Sequence, residues 1–443
     1  MDQPQVKNPI QRILLYPQAE RLKGIYSCCS ANEYVLRAVM RRSIVYGVPA
    51  LIESTANQVN QFGGYTDMRP ADFYAFVRRI AREERFPLEA LLVGGDHLGP
   101  LIWSGLPSET AMERAERLVM DCVSAGYVKI HLDTSMRLGG DDPEHRLPDE
   151  TIARRGARLC AAAERAFAER RLKDRDAVPP VYVIGSEVPI PGGALENERE
   201  TAVTSAEDCL KTLAAFRGAF EEIGLENVWG RVVAIVVQPG VEFADSSVVE
   251  YRHAPAAQLL SVLKSLNGMV FEGHSTDYQP APRLKEMVED GIRILKVGPA
   301  LTFGLREGLF ALESIERELL PLYPFEPSRL REVIDRVMRE KPALWERYYH
   351  GAAAQIALSR AFSFSDRVRY YLPEEEIQAA IGRLIRNLGG VEIPLTLISQ
   401  YLPMQLSPVR AGAIRNHPED LLIDRVGSWI DDYLYATVKG MKA

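Results

Sequence analysis

The sequence predicts an α/β protein built as a (β/α)8 TIM barrel, followed by a helical C-terminal extension. Short apolar runs alternate with longer amphipathic stretches between about residues 23 and 310. The runs are rich in Val, Ile and Leu and nearly continuously apolar, as expected for strands that are covered on both faces. An open doubly wound sheet is the competing interpretation. No GxGxxG motif follows the first run, however, and eight strand–helix units fit barrel closure better.

Eight segments are predicted as strands, in the order in which they occur along the chain. They comprise residues 24–27, 49–53, 90–94, 128–132, 181–185, 232–237, 269–272 and 292–297. Helices are predicted between them at residues 31–46, 70–84, 109–125, 149–175, 205–223, 255–266 and 282–290. Proline opens three of these helices, because the first helical turn does not need its missing N–H. Ser205 is predicted to cap another helix, with two acidic residues in its first turn.

The strand pattern stops at about residue 316. Helices punctuated by Pro and Gly are predicted from there at residues 325–341, 344–364, 373–388 and 418–438. This region is rich in aromatic residues, which favours packing on the barrel. The predicted organisation is therefore a barrel carrying the active site over residues 1–315 and a helical region packed on it over residues 316–443.

Composition excludes several classes of protein. The chain has 53 Lys and Arg against 60 Asp and Glu, a formal charge of −7, which argues against a general nucleic-acid binder. No stretch approaches ~18 consecutive apolar residues, and the polar N-terminus has no secretory h-region. The five cysteines are scattered without a CxxC pair, which indicates reduced thiols. We therefore expect a cytoplasmic protein without a membrane partner. The adjacent Cys28 and Cys29 are a less favoured candidate for a reactive thiol.

Polar residues crowd the ends of the predicted strands, which is where barrel enzymes place their active sites. Burying so many polar groups is costly unless a ligand compensates, so the set predicts a functional pocket. The residues concerned are Glu53, Asn57, Gln58, Asp96, His97, His131, Asp133, Glu187, Gln238, His274, Ser275, Thr276, Asp277 and Lys296.

Within this set, His97 and His274 suit a divalent metal ion, with Glu187 and Gln238 as oxygen donors. The alternative is that both histidines bind backbone groups and merely line the pocket. His131 should point to the same side of its strand as Asp133, either as a ligand or as an interior histidine.

Three aspartates, Asp96, Asp133 and Asp277, are acid–base candidates, although aspartate also caps helices at such loops. The turns at Ser275-Thr276 and at residues 296–298 would suit a phosphate group. Ordinary turn glycines are the alternative for those segments.

Long motifs in the chain resemble one known family. They are LIESTANQVNQFGGY at 51–65, GGDHLGP at 94–100, VQPGVEF at 237–243, EGHSTDYQ at 272–279 and YLP at 401–403. They are similar to the family called the non-catalytic subunit of class II D-tagatose-1,6-bisphosphate aldolase, over nearly the whole chain. The resemblance implies a zinc-dependent, class II aldolase-like barrel in which Asp96 acts as an acid and His97 as a metal ligand. It also implies that Glu187 assists proton transfer and that His274 is a ligand.

The resemblance departs at the sixth predicted strand, where aldolases carry a ligand histidine and this chain has Gln238. Aldolase activity by this chain alone is therefore disfavoured. The family name implies a helper of a separate catalytic subunit, but some members are implied to epimerise tagatose 6-phosphate and fructose 6-phosphate at C4. The crowd of polar groups favours the second interpretation.

The resulting hypothesis is a metal-dependent ketohexose (6-phosphate) 4-epimerase that uses retro-aldol and aldol chemistry. Asp96 and Glu187, with Asp277 third, would carry the proton transfers, while His97, His274 and Gln238 would hold Zn, Mn, Ni or Mg. The predicted substrate-binding residues are Glu53, Asn57, Gln58, His131, Asp133, Ser275, Thr276 and Lys296. Expected partners are a sugar or sugar phosphate, further copies of this chain and, under the helper alternative, an aldolase catalytic subunit.

Overall fold

A closed barrel of eight parallel strands forms the centre of the molecule. The computed structural model describes residues 6–17, 21–186 and 201–441. The strands are β1 Ile25–Cys29, β2 Ala50–Thr55, β3 Leu91–Leu98, β4 Lys129–Leu132, β5 Val181–Ile184, β6 Val232–Val237, β7 Val270–Gly273 and β8 Ile292–Val297. Each strand pairs with the next in chain order, and β8 pairs with β1, so the sheet closes on itself. The predicted (β/α)8 barrel is confirmed.

Helices surround the barrel and continue beyond it. Those in the barrel portion are α1 Pro9–Leu15, α2 Glu33–Tyr46, α3 Pro70–Glu83, α4 Ser108–Ala125, α5 Asp149–Lys173, α6 Ala206–Glu222, α7 His253–Ser261, α8 Ala281–Glu289 and α9 Pro299–Leu319. The C-terminal ones are α10 Leu330–Glu340, α11 Ala353–Phe362, α12 Glu375–Gly389, α13 Leu395–Tyr401, α14 Pro403–Arg410 and α15 Pro418–Thr437. None of the helices in the described ranges is long and apolar enough to cross a membrane.

The apolar strands are explained by their surroundings. All six residues of β6 are buried, because one face of the strand lies against the barrel interior and the other against the helices. Local capping follows the sequence: the Ser205 side chain accepts a hydrogen bond from the Asp208 N–H at 3.0 Å, as predicted. Apolar residues from the strands and helices then join into one continuous core.

The C-terminal region is part of the barrel's outer layer. Helix α15 contacts α2, α8, α9 and strand β1, so the end of the chain covers the seam where β8 meets β1. The buried Arg306 of α9 pairs with the buried Asp366, with 3.3 Å between Nε and Oδ1, which ties the C-terminal region to the barrel. The division predicted after residue 315 falls inside the continuous helix α9.

Several predicted helices differ in extent from those observed. The predicted helix 344–364 is wrong in its first half, where turns precede α11 and Gly351 adopts a φ of 115°. Helix α10 begins at Leu330, five residues later than predicted. Helices α1, α9, α13 and α14 were not predicted. Helices α1, α13 and α14 are each at most eight residues long and show too few turns for a periodic pattern. Helix α9 has 21 residues and follows β8, in a segment for which no helix was predicted.

Candidate metal and active site

A cavity opens at the carboxyl ends of the barrel strands. Its wall combines residues from strand ends with residues from the loop before α3 and from the C-terminal region. The lining residues include Cys29, Asn57, Gln58, Tyr65, Asp96, His97, Phe243, His274, Ser275, Asp277, Lys296, Gly298, Arg369 and Tyr370. Many of the predicted site residues therefore meet in one place, although they come from strands far apart in sequence.

Three histidines form the centre of this site. The ring centroids of His97, His131 and His274 lie 4.9 to 5.1 Å from one another. Together with Asp96 they offer four ligand atoms that all lie within 4.8 Å of one another. All four side chains are buried, so the cluster is shielded from bulk water.

Each imidazole is oriented by its own carboxylate. His97 Nδ1 lies 2.8 Å from Asp133 Oδ2, His131 Nδ1 lies 3.0 Å from Asp96 Oδ1, and His274 Nε2 lies 2.9 Å from Glu272 Oε1. Metal-binding histidines usually have this arrangement, because a carboxylate that fixes one ring nitrogen leaves the other as a ligand.

The buried Nε2 of His131 is the atom that tests whether a metal fits. Within the part of the chain that the structure describes, this nitrogen has no hydrogen-bond partner. His131 Nδ1 accepts a hydrogen bond from the backbone N–H of His97 at 3.1 Å and lies 3.0 Å from Asp96 Oδ1, so Nε2 is the ring nitrogen left for a further ligand. A buried polar atom without a partner is costly, and a divalent cation would satisfy it. The donor set of three imidazoles and one carboxylate fits such an ion.

A buried ion network lies directly beneath the histidines. Lys129 Nζ lies 2.7 Å from Glu53 Oε1 and 2.8 Å from Glu272 Oε2, and all three side chains are 0% exposed. Lys296 Nζ contacts Glu53 and lies 2.9 Å from Asp96 Oδ1. Lys129 forms ion pairs with the carboxylates of Glu53 and Glu272, but their geometry is not that of hydrogen bonds.

Gly94 of β3 makes room for this network. A Cβ atom there would lie 3.0 Å from Glu53 Oε1 and 3.1 Å from the Cβ of Lys129. The absence of a side chain at residue 94 thus allows a lysine and a glutamate to meet inside the barrel.

The charge of this buried cluster is not balanced by its own residues. Four carboxylates, those of Glu53, Asp96, Asp133 and Glu272, face the ammonium groups of Lys129 and Lys296. The described residues of the cluster carry two negative charges in excess when all three imidazoles are neutral, as metal ligands must be, and one when His97 is protonated. Because buried charge is stable only when compensated, a divalent cation is the ligand that matches this deficit.

The pKa values in the cluster reflect the same imbalance. Burial lowers the pKa of His97, but Asp96 and Asp133 outweigh it and raise that pKa to about 9. Burial raises the pKa of Asp133, but the hydrogen bond with His97 lowers it to about 2. Lys129 and His274 likewise hold the pKa of Glu272 at about 2 against the effect of burial. The centre therefore attracts positive charge.

Asp277 lines the cavity but is engaged with the backbone. Its Oδ1 accepts hydrogen bonds from the N–H groups of Gly298 at 3.0 Å and Ala300 at 2.8 Å, so it caps helix α9. Burial raises the pKa of Asp277 to about 6, although these two N–H groups oppose the rise. The capping alternative to an acid–base role is thus the one supported by these contacts.

We expect the substitution Asp277→Asn to remove the pH-dependent free-energy cost of keeping the ionised Asp277 carboxylate buried. The folded pKa of Asp277 exceeds its unfolded value, so its contribution to stability is present below about pH 4 and is lost as pH rises through about 6. Asparagine keeps the accepting oxygen without the charge. The free energy of unfolding of the variant minus that of the wild type should therefore rise by about 2 kcal/mol between about pH 4.5 and about pH 8.

Denaturant unfolding at several pH values would measure this difference. The control Asp277→Ala lacks the cap and should be less stable than the Asp277→Asn variant by about 1 kcal/mol at every pH. A difference between the Asp277→Asn variant and the wild type that stays flat with pH would show that Asp277 remains ionised throughout, contrary to this account.

The remaining predicted residues are placed as follows. Gln58 lines the cavity, and its side-chain oxygen accepts from the Thr55 N–H at 2.9 Å. Thr276 Oγ1 donates to the Lys296 carbonyl at 2.5 Å, whereas Asn57 and Ser275 face the cavity. Glu187 lies outside the described residues.

Gln238 does not join the histidines in the way predicted. Its Oε1 accepts hydrogen bonds from the N–H groups of Gly240 at 2.9 Å and Val241 at 3.0 Å. The ligand oxygen assigned to it is thus used within its own turn. His131, which the prediction left open between ligand and interior residue, takes the place in the donor cluster instead.

Cys29, which the sequence offered with Cys28 as a less favoured reactive thiol, has its Sγ 3.4 Å from Asp96 Oδ2. Sequence reasoning missed three other residues in or beside the cavity. Lys129 could have been noticed as a charged residue in a short apolar strand, two positions before His131. Arg369 and Tyr370 lie in the C-terminal region, far along the chain from the barrel strands, and no periodic signal marks them.

The fold and the site together define a class: a (β/α)8-barrel protein with a buried histidine–carboxylate centre at the carboxyl ends of its strands. The family model described as D-tagatose-1,6-bisphosphate aldolase subunit GatZ/KbaZ-like matches residues 10–438. The chain belongs to this family, which confirms the resemblance found in its motifs.

Solved structures resemble this chain to very different degrees. A probable tagatose 6 phosphate kinase from Sinorhizobium meliloti 1021 is 46% identical, with a TM-score of 0.84, over 93% of this chain and 100% of that one. The fructuronate-tagaturonate epimerase UxaE from Cohnella laeviribosi is 10% identical, with a TM-score of 0.45, over 95% and 82% of the two chains. The fructose-bisphosphate aldolase from Campylobacter jejuni is 13% identical, with a TM-score of 0.38, over 85% and 91%.

Proposed function

We propose that this chain is a metal-dependent ketohexose (6-phosphate) 4-epimerase that interconverts fructose and tagatose forms. The observation that carries the proposal is the convergence of His97, His131 and His274, each backed by a carboxylate, in one cavity. A purely structural subunit would gain nothing from this cluster, whose desolvation costs free energy. An enzyme gains a preorganised metal site.

The three imidazoles of His97, His131 and His274 would hold the ion, with the Asp96 carboxylate beside them. When bound, a divalent cation supplies a Lewis acid that polarises a carbonyl oxygen and stabilises the negative charge that develops on it. Asp133 and Glu272 keep His97 and His274 in their ligating orientation. The lysines beneath the histidines hold Glu53 and Asp96 as carboxylates, so the geometry is set before substrate arrives.

Epimerisation at C4 can proceed by cleavage and re-formation of one carbon–carbon bond. A base removes the proton from the C4 hydroxyl, the C3–C4 bond breaks, and the products are a three-carbon enediolate and a three-carbon aldehyde. The aldehyde turns its other face, C3 attacks it, and the new C4 alkoxide takes the proton back. The step is balanced, because no oxidant or reductant is consumed.

Asp96 is the residue that we assign to this proton transfer. Asp96 lines the cavity, its Oδ2 accepts a hydrogen bond from the Cys29 thiol at 3.4 Å, and its Oδ1 is held by Lys296 and His131. The carboxylate is thereby fixed in direction beside the cavity that the substrate would occupy. Glu187 remains a proposed second acid–base group.

The descriptions of the relatives support the same substrate class. The family's description names D-tagatose-1,6-bisphosphate, and the 46% identical Sinorhizobium protein is described with tagatose 6-phosphate. Both are phosphorylated ketohexoses.

The proposal is tested with the purified chain alone. It should interconvert fructose 6-phosphate and tagatose 6-phosphate in the presence of Mn²⁺, Zn²⁺, Ni²⁺ or Mg²⁺, and EDTA should stop the reaction. Chromatographic separation of the sugars, with the unphosphorylated pair alongside, gives the readout. In D₂O, bond cleavage leaves the hydrogen on C4 in place, whereas direct deprotonation would introduce deuterium there.

Absence of turnover with every metal would overturn the epimerase proposal. The family description supports one alternative, a non-catalytic subunit that stabilises a separate aldolase. Adding this chain to such a catalytic subunit should then raise the activity or the thermal stability of the aldolase.

A further inference from the structure

An arginine pair from the C-terminal region stands at the mouth of the barrel cavity. Arg369 lines both the central cavity and the adjoining one of about 1570 Å³, together with Tyr65 and Gln58. Arg367, two residues earlier, is only 3% exposed. The ring of Tyr370 packs edge-on against Tyr65 with 5.2 Å between centroids, so a β2–α3 loop residue and a C-terminal residue share this wall.

These two guanidinium groups have no carboxylate partners. Among the described residues, neither Arg367 nor Arg369 has a carboxylate oxygen within 4.0 Å. Arg369 donates to the carbonyls of Ser365 and Asp366 and, at 3.0 Å, to the hydroxyl of Tyr370. The Asp366 carboxylate is engaged instead by Arg306 and by Thr302.

Arg367 is buried without its full set of hydrogen bonds. Its guanidinium stacks on the ring of Tyr348 at 3.2 Å from the centroid. In the described part of the chain, its Nε and Nη2 have no hydrogen-bond partner. Burial, with the like charge of Arg369, lowers its pKa, and both arginines lower the pKa of Tyr370. The charge of Arg367 is thus buried at a cost that an anion would offset, whereas Tyr370 and Asp366 outweigh the effect of burial on Arg369 and raise its pKa.

The other cationic features of the cavity are already used. The N–H groups of Gly298 and Ala300, at the start of α9, are bound by Asp277. Lys296 is paired with Glu53 and Asp96. The phosphate position predicted at residues 296–298 therefore offers little to an incoming anion, whereas the planar guanidinium of Arg369 suits phosphate oxygens.

We propose that Arg369 and Tyr370, with Arg367 behind them, form the subsite that binds the phosphate group of a sugar phosphate. This inference rests on the proposed function for the identity of the sugar, but not for the anion. The histidine cluster and Arg369, which line the same cavity, would then hold a substrate by its reactive carbons and by its phosphate.

Calorimetric titration of the purified chain tests the subsite directly. The titrants are inorganic phosphate, fructose 6-phosphate, fructose, and fructuronate, which carries a carboxylate at C6. Wild type should bind fructose 6-phosphate more tightly than fructose, with inorganic phosphate as a competitor. Arg369→Ala should weaken the binding of phosphate and of the phosphate ester by about 10- to 100-fold, the value of a charge-assisted contact.

Matched variants separate binding from folding. Arg369→Lys keeps the charge and should recover part of the affinity, Tyr370→Phe should weaken it less, and the exposed Arg410→Ala should leave it unchanged. If Arg369→Ala fails to fold, Arg369→Lys and Tyr370→Phe still show whether these residues bind the phosphate group. Three results would overturn the proposed phosphate subsite. They are an equal loss of affinity for fructose and fructose 6-phosphate, tighter binding of fructuronate than of the phosphate ester, and phosphate binding that these substitutions leave unchanged.

The same experiment distinguishes this inference from the proposed function. Phosphate binding through Arg369 without any epimerisation leaves the subsite standing and removes the epimerase. If the chain epimerises its substrate but the Arg369 variants bind phosphate as the wild type does, the epimerase stands and the subsite is removed.

Discussion

The substitution His131→Ala is expected to abolish metal binding and to reduce epimerase activity by at least about 1,000-fold, since a Lewis acid lowers such barriers by several kcal/mol. His131 is fully buried, and its Nε2 is the atom that lacks a partner beside His97 and His274. Removing it takes away one of three imidazoles and frees Asp96 Oδ1 from its contact with Nδ1.

Two measurements check this result independently. Elemental analysis should find a stoichiometric ion in the wild type and almost none in the variant. Added metal should raise the unfolding temperature of the metal-free wild type but not that of the variant, since only a bound ion stabilises the folded state. His145→Ala, at a surface histidine with a 78% exposed side chain, is the control and should behave as wild type. Retention of the ion by the His131 variant would rule out this residue as a ligand.

The second large effect is expected from Lys129→Ala, which should lower stability by about 3–5 kcal/mol. The lysine is 0% exposed and stands between Glu53 and Glu272, so its removal leaves two buried carboxylates without their shared countercharge. Those carboxylates should then bind protons more readily in the folded state. Because their folded pKa values rise, the loss of stability should be smaller at about pH 6 than at about pH 8.

Thermal and denaturant unfolding at the two pH values measure this effect. The control is Lys211→Ala, whose exposed i,i+4 pair with Glu207 should contribute less than about 1 kcal/mol. A Lys129 variant as stable as this control, or one with no pH dependence, would mean that the buried network does not hold charge as described.

Much of the fold was accessible from sequence because it rests on local patterns. Strands such as Val232–Val237 are recognisable from their apolar composition, since both of their faces are buried. Short helices such as Leu395–Tyr401 were missed because two turns carry no clear period.

The candidate site, too, was only partly predictable from the sequence. The position of Asp96, His97 and His274 at strand ends places them at one rim of any barrel, so their meeting follows from the fold class. The role of each side chain does not follow from the fold class. Gln238 and Asp277 were predicted as a ligand and an acid, yet their oxygens accept hydrogen bonds from backbone N–H groups. Sequence lists donors and acceptors without saying which pairs form.

The sequence by itself thus determined the barrel, the family and the rim on which the chemistry lies, because periodicity and strand ends are properties of short segments. Only the tertiary structure decided that His131 completes the metal cluster, that Lys129 sits between Glu53 and Glu272, and that Arg369 reaches the cavity. These contacts join residues that lie far apart along the chain. They depend on barrel closure and on how the C-terminal helices pack, which no local pattern encodes.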